Sequence, residues 1–298
     1  MTTQTTPETD ERLPAGSKVG IIAGGGMLPV EVAKSLSAKG KAPFILIVEG
    51  EVTAHLDELS QFEHETLALE RIGNLVTVLR RHGVTHLVMA GEIRRRPKLS
   101  AIKINLGLLR VLPELLKALT RGDDGLLRIV IKGFEARGIT IVGAQDIVPD
   151  ILASEMVLTK TGPRKSDWPD IEAAFVAAKT IGRLDIGQAA VAVGSRVIAL
   201  EGIEGTAGLL DRVKGLRGHG RLAGRQRGVL VKCAKPQQEL RVDLPTIGPE
   251  TIESAHAAGL AGVVVEANRS IVLDSASVIE KADRYGMFVL GLRREELP

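Results

Sequence analysis

The 298-residue chain has one cysteine, Cys233, and only 2% aromatic residues. A single cysteine excludes an intrachain disulfide and any zinc or iron–sulfur site built on cysteines, and it suits a reducing cytoplasm. Five phenylalanines, one tyrosine and one tryptophan leave almost no platforms for stacking single-stranded bases, so nucleic acid is not an expected partner. No apolar run approaches the roughly 18 residues that a membrane-spanning helix needs. The six histidines show no HExxH or comparable ligand spacing, which argues against a zinc site. No Walker lysine follows the triple glycine at Gly24, and Ser195 lacks the Gly-x-Ser-x-Gly frame of a nucleophile elbow. Charge of one sign is barely in excess, at 39 Lys and Arg against 36 Asp and Glu. Such a balance serves a phosphate-bearing ligand or an anionic membrane surface equally well.

What is present is globular: 44% hydrophobic residues, 25% charged, 33 glycines and 13 prolines. The core must be built from small aliphatics and the chain must turn often, as in an α/β protein with short loops. Residues 1–16 are rich in Thr, Glu and Pro and lack an apolar h-region, so they are expected to be a disordered tail and not a signal peptide. From there strand and helix patterns alternate: strand 18–23, helix 28–38, strand 44–48, helix 74–81, strand 84–90. Near-continuous apolar strands in that rhythm predict a parallel sheet covered on both faces, with right-handed crossovers, hence a Rossmann-like unit. Helices are expected over 108–119 and from Asp123, whose carboxylate suits an N-cap, followed by a short strand over 139–143. The proline- and glycine-rich stretch 146–169 places the boundary near 150. The expected organisation is a Rossmann-like domain over 17–150, a linker over 151–169 and a mixed α/β domain over 170–298. In that second domain the pattern gives a helix over 170–181, strands at 190–193 and 197–200, a helix capped by Thr206, a strand over 228–234 and a helix over 249–258. A strand pair over 263–266 and 271–273 around Asn268-Arg269, a helix over 275–285 and a strand over 287–290 complete it.

Several segments have the composition of a site. Gly24-Gly25-Gly26 ends the first strand and precedes a helix, where glycine lets backbone approach a phosphate and free N–H groups face it. The same glycines can also form merely a tight turn. Glu49, ending the second strand, could take a ribose hydroxyl as in a nicotinamide-dinucleotide site, although Pro29 stands where that fingerprint wants its third glycine. Gly91-Glu92-Ile93-Arg94-Arg95-Arg96-Pro97 follows the third strand and offers guanidinium groups for a diphosphate, or a solvated basic loop. Asp123 and Asp124 are candidate metal ligands or, more simply, helix caps. Asp185 and Gln188 bracket a glycine-containing turn. The densest segment is 232–248, where Lys232, Lys235, Glu239, Arg241 and Asp243 interleave cations with carboxylates. Phosphoryl chemistry needs both, and so does an ordinary surface loop with local ion pairs.

Taken together these segments resemble the LpxI-type UDP-2,3-diacylglucosamine diphosphatases of Gram-negative bacteria. The resemblance rests on Gly20-Ile-Ile-Ala-Gly-Gly-Gly-Met-Leu-Pro29, Gly122-Asp-Asp-x-Leu-Leu-Arg128, Ile141-Val-Gly-Ala144, Ile181-Gly-Arg-Leu-Asp-Ile-Gly-Gln188, Glu204-Gly-Thr206 and the stretch 232–248 with its Arg-Val-Asp-Leu-Pro-Thr-Ile-Gly. It implies two α/β domains holding lipid and nucleotide between them, and Mg²⁺-dependent hydrolysis at the α-phosphorus to UMP and 2,3-diacylglucosamine 1-phosphate. It further implies that Asp243 is the catalytic carboxylate, as metal ligand or as the group that positions water. Gly25, Gly26 and Met27 would present backbone N–H groups to the nucleotide, and Asp123, Gln188, Thr206, Lys232 and Arg241 would line the cleft. The lipid substrate implies peripheral contact with the cytoplasmic face of the inner membrane; a homo-oligomer is left open. Two departures stand out: Ala207 replaces an acid frequent after Glu-Gly-Thr, and the basic loop reads Arg-Arg-Arg-Pro. The readings that compete with this one are an NAD-linked oxidoreductase and a non-catalytic sugar-nucleotide or lipid-binding protein.

Overall fold

A computed structural model describes residues 13–14, 16–93, 95, 123–222, 224 and 227–293. The helix expected over 108–119, most of the tail, and Arg94 and Arg96 lie outside the described residues; Leu13, within the expected tail, is buried. The chain divides into two units: Met1–Pro149 with Glu239–Val242, and Asp150–Gln238 with Asp243–Pro298.

The first unit is built on strands β1 (Val19–Ala23), β2 (Phe44–Val48), β3 (Glu63–Leu67), β4 (His86–Ala90) and β5 (Thr140–Ile141). They form one sheet in the order β3-β2-β1-β4-β5, and every pairing is parallel. β1 and β2 are buried at every position, which is why their sequences read as continuous apolar runs. Phe44, Leu46, Leu79, Leu87, Ile131, Phe134 and Ile139 pack into a shared core. β3 is absent from the sequence reading. As an edge strand of sequence Glu-His-Glu-Thr-Leu, it buries only Leu67 and carries no apolar alternation to betray it. The strand order reverses between β1 and β4, and α/β sheets bind ligands at the carboxyl ends beside such a reversal.

The second unit contributes β6 (Ala189–Val193), β7 (Arg196–Leu200), β8 (Val229–Lys232), β9 (Thr246–Ile247), β10 (Gly262–Glu266), β11 (Ile271–Val272) and β12 (Phe288–Leu292). Its main sheet runs β12-β10-β8-β6-β7; the first three are parallel, and β6 is antiparallel to both neighbours. Both faces are covered. Ile171, Phe175 and Ala178 of the helix Trp168–Arg183 pack on Ala190, Ala192, Val229, Val231 and Val264. The alternate residues Ala189, Val191, Leu230, Val263 and Val265 meet Leu209, Val213, Ile252 and Val278 from three other helices. Gly194 and Ser195 both take positive φ, 61° and 64°, the two-residue turn whose twist suits the β6–β7 hairpin.

Two expectations are corrected. The segments at 263–266 and 271–273 do not pair with each other: β10 is a central strand between β8 and β12, while β11 pairs in parallel with β9. Asn268 turns the chain with φ 58°, but a strand hydrogen-bonded on both edges has no edge left for its successor. Residues 151–169 are also not a free linker. The Leu158 N–H donates to the Val289 carbonyl, the Gly291 N–H to the Met156 carbonyl and the Val289 N–H to Thr159 Oγ1, so this strip covers the outer edge of β12. Pro169, expected in the irregular stretch, sits in the first turn of the helix Trp168–Arg183, where no donor is required of it. A Cβ at Gly291 would lie 1.9 Å from the Ser154 carbonyl oxygen. Gly291→Ala is therefore expected to cost about 2 kcal/mol through overpacking. A urea midpoint equal to that of the wild type would show that the strip is not packed this way.

Candidate active site

The second unit gathers its polar residues at the carboxyl end of β8. Lys235 and Gln238 close a turn with Pro236 at its second position, the Gln238 N–H donating to the Lys235 carbonyl at 3.1 Å. A second turn follows, from the Val242 N–H to the Glu239 carbonyl, and the chain comes back to place Asp243 beside Gln238. Gln238 Nε2 donates to Asp243 Oδ2 at 2.6 Å and approaches Gln188 Oε1 at 3.5 Å. Gln188 is anchored through its backbone. Its N–H donates to Glu201 Oε2 at 2.8 Å, and its carbonyl accepts from the Cys233 N–H. Thr206 Oγ1 donates to Glu201 Oε1 at 2.7 Å. Thr206, Glu201, Gln188, Gln238 and Asp243 thus form one polar chain, in which Glu201 and Gln238 are buried and Asp243 is half-buried.

The glycine pattern 181–188 has a local cause. A Cβ at Gly187 would lie 2.3 Å from the Glu201 carbonyl oxygen, so only glycine lets the loop lie against that strand end. Asp185 adopts φ 54° and receives Lys235 Nζ at 2.6 Å. Lys232 is buried, its Nζ donating to the Thr246 carbonyl at 2.9 Å. Thr206 differs from its expected role as N-cap. The helix Gly205–Leu216 is preceded by Glu204, and the Thr206 hydroxyl serves Glu201 instead.

Behind this loop Lys179 Nζ donates to both oxygens of Glu266 at 2.8 Å, and Glu266 Oε2 also accepts the Ala234 N–H. Burial, then the Glu266 charge, pushes the Cys233 thiol well above its usual range, so it is a small core residue and no nucleophile. It is expected to resist a thiol reagent such as DTNB until the protein is denatured; stoichiometric labelling of the native protein would contradict its burial.

Arg241 falls in the tetrapeptide Glu239–Val242 that belongs to the first unit. Its Nε and Nη2 donate to the two Glu239 oxygens at 2.9 and 3.0 Å, and its Nη1 donates to Glu135 at 2.7 Å. The Arg241 guanidinium holds the Glu239 carboxyl below its ordinary range.

In the first unit the triple glycine lies against the chain leaving β4. The Gly24 N–H donates to the Ala90 carbonyl, and Gly25 and Glu92 exchange both backbone hydrogen bonds at 2.8 and 3.0 Å. A Cβ at Gly24 would lie 2.6 Å from the Glu92 oxygen, and one at Gly91 2.5 Å from the Gly25 oxygen. Two of the glycines are therefore required by backbone approaching backbone. The Gly25 N–H is spent on that contact, whereas those of Gly26 and Met27 have no hydrogen-bond partner among the described residues. These two remain available at the start of the helix Leu28–Ala38. Asp123 is the first residue of the helix Asp123–Glu135; its side chain lies outside the described residues. Of the basic loop, Arg95 is occupied: Nη2 donates to the Glu49 carbonyl at 2.6 Å, and its backbone N–H donates to Glu51 Oε1 at 3.0 Å.

Glu201, Gln238, Glu266 and Lys179 escaped the sequence reading. The one usable signal was Glu266, a charge closing the buried run Gly-Val-Val-Val-Glu. No group of three or more His, Cys, Asp and Glu residues arranged to hold a metal occurs among the described residues.

These features define a two-unit α/β protein, one unit with a doubly wound parallel sheet and the other with a mixed sheet whose central-strand loop carries an amide-held aspartate. The chain belongs to the LpxI family: residues 18–151 match the LpxI N-terminal domain and residues 154–290 the LpxI C-terminal domain. UDP-2,3-diacylglucosamine pyrophosphatase LpxI of Caulobacter vibrioides is 41% identical over 285 residues, which is 94% of this chain and 99% of the relative. A solved structure, CobK precorrin-6A reductase, aligns over 95% of this chain and 90% of its own with 12% identity and a TM-score of 0.31, too little likeness to bear on fold or function.

Proposed function

We propose that this chain hydrolyses UDP-2,3-diacylglucosamine in lipid A synthesis, with water attacking the α-phosphorus to give UMP and 2,3-diacylglucosamine 1-phosphate. The observation that carries the reading is the 41% identity, end to end, with a relative named for that pyrophosphatase activity. Asp243 is the catalytic carboxylate. Its Oδ2 is held by Gln238, and its Oδ1, with no hydrogen-bond partner among the described residues, is the oxygen open to a metal ion or to the attacking water. As the oxygen of water bonds to the α-phosphorus, the bond to the bridging oxygen breaks and the lipid phosphate leaves with that electron pair. No covalent intermediate is required. The N–H groups of Gly26 and Met27, at a helix start beside the turn that Gly25 shapes, remain assigned to the nucleotide by the family pattern. Lys232 and Gln188 support the loop that carries Asp243, while Arg241 and Asp123 remain assigned to the substrate by the family pattern.

The donor set fits Mg²⁺. That ion is commonly held by one or two carboxylates together with substrate phosphates, and Asp243 has one oxygen to offer. Bound there, Mg²⁺ would neutralise charge on the pyrophosphate oxygens. The test is UMP release by the purified protein from UDP-2,3-diacylglucosamine in mixed micelles, with Mg²⁺ or with EDTA. Release that stops with EDTA is expected. Binding without turnover would support a lipid-binding protein instead, and a change in nicotinamide absorbance an oxidoreductase.

A diacyl substrate resides in a bilayer, so we assign this chain a peripheral contact with the inner membrane. No helix among the described residues is long and apolar enough to cross one. The support is a set of exposed aliphatics near Gln188 and Glu201: Leu184 and Ile186 in the turn before Gln188, Leu200 at the end of β7, and Ile203, fully exposed, just after Glu201. Leu184→Asp with Ile203→Asp is expected to lower co-sedimentation with phospholipid vesicles several-fold while leaving the thermal midpoint in place. Unchanged sedimentation would remove these loops from the contact.

A further inference from the structure

Among the residues around Asp243, the one with the most completely determined geometry is a neutral amide. Gln238 is 7% exposed, and the orientation of its carboxamide is not free. The Lys235 N–H donates to its Oε1 at 2.9 Å, which fixes that atom as the acceptor and turns Nε2 toward Asp243. The Nε2 contact with Asp243 Oδ2, at 2.6 Å, is short for a bond from a neutral amide to a carboxylate. The backbone beneath is equally set, since the Gln238 N–H closes the Lys235–Gln238 turn that Pro236 favours. The second Nε2 hydrogen faces Gln188 Oε1, itself carried by a residue tied through its backbone to Glu201 and Cys233.

We infer that Gln238 is a positioning residue for the reaction: its carboxamide holds Asp243 Oδ2 so that Oδ1 alone is presented to the reacting groups. This rests on the reading that Asp243 acts on the pyrophosphate. An amide suits the task where a cation would not. It donates a directional hydrogen bond without neutralising the carboxylate, so the full negative charge stays available at Oδ1. A freely rotating Asp243 would spread that charge over many orientations, and a group misplaced by an ångström loses much of its effect.

Two variants separate positioning from mere bracing of the loop. Gln238→Glu keeps the length and an acceptor for the Lys235 N–H but presents an oxygen to Asp243 where the donor stood. Gln238→Met keeps the bulk and loses both polar atoms. For each we expect kcat to fall about 10–100-fold, with KM and the equilibrium affinity for substrate within about twofold, as for other partners that orient a reacting group. Combined with Asp243→Ala, neither substitution should lower the rate further, because the group it positions is gone. Thermal midpoints show whether each protein is folded. If the methionine variant is not, the glutamate variant decides alone. Wild-type kcat in a folded variant, or a loss that adds fully to that of Asp243→Ala, overturns the inference while the functional reading stands. Absence of UMP release by the wild type overturns both.

Discussion

Replacing Asp243 by asparagine is expected to lower kcat about 10³-fold, the upper part of the range for loss of a positioned acid–base group. Asparagine keeps the shape, and its carbonyl oxygen can still accept from Gln238 Nε2. What it cannot keep is a second anionic oxygen. Where Oδ1 stands it presents an NH₂ group, which donates where the attacking water needs an acceptor and which repels a cation. Folding should be nearly untouched, because Asp243 is half-buried and its one side-chain hydrogen bond among the described residues survives. The check is kcat, KM and thermal midpoint on one preparation. A rate within tenfold of the wild type at an unchanged midpoint would remove Asp243 from the chemistry.

Lys179→Met is expected to have the largest effect on stability, about 3 kcal/mol or more, because it strands a buried carboxylate. Glu266 is 7% exposed at its side chain; it takes both of its short ionic hydrogen bonds from Lys179, while Arg269 stands 3.5 Å away at the edge of contact. The remaining partner is the Ala234 N–H, at the point where β8 gives way to the Lys235–Gln238 turn. The damage should therefore extend to the site. Removing the charge from both sides, as Lys179→Met with Glu266→Leu, should recover much of the loss, since a buried ion pair replaced by apolar groups of similar volume is often neutral or better. Urea unfolding monitored at Trp168 reads both variants. A single variant as stable as the wild type would show that the pair does not matter to the fold.

Much of the first unit was legible because burial writes itself into sequence. Strands β1 and β2 are buried at every position and read as uninterrupted apolar runs, β4 is apolar after His86, and glycines mark the turns between them. β3 was invisible for the opposite reason: an exposed edge leaves side chains free to be polar. Neighbours in sequence suggest a hairpin for β10 and β11, whereas Gly-Val-Val-Val-Glu, buried throughout, marks a central strand with both edges taken.

The site divides in the same way. Interleaved charges over 232–248 were conspicuous, as was the Asp185–Gln188 turn. Gln238 was not, because a neutral amide in a loop leaves no periodicity and no charge pattern; its role comes from two turns that fold the chain back by five residues. Glu201 was equally silent, and only tertiary structure shows that it joins Thr206 to Gln188. The glycines at 24 and 91 illustrate a different ambiguity. A sequence suggests phosphate binding wherever glycines cluster before a helix, yet here two of them are required by backbone meeting backbone, and the donors that remain belong to Gly26 and Met27.

The most direct test of the reaction is to run it in water enriched in ¹⁸O, with Mg²⁺ and UDP-2,3-diacylglucosamine, and to weigh both products by mass spectrometry. One labelled oxygen in UMP and none in the lipid phosphate is the result expected of water attacking the α-phosphorus. Label in the lipid phosphate would place the attack on the other phosphorus, and no UMP from the folded wild-type protein would contradict the hydrolysis itself.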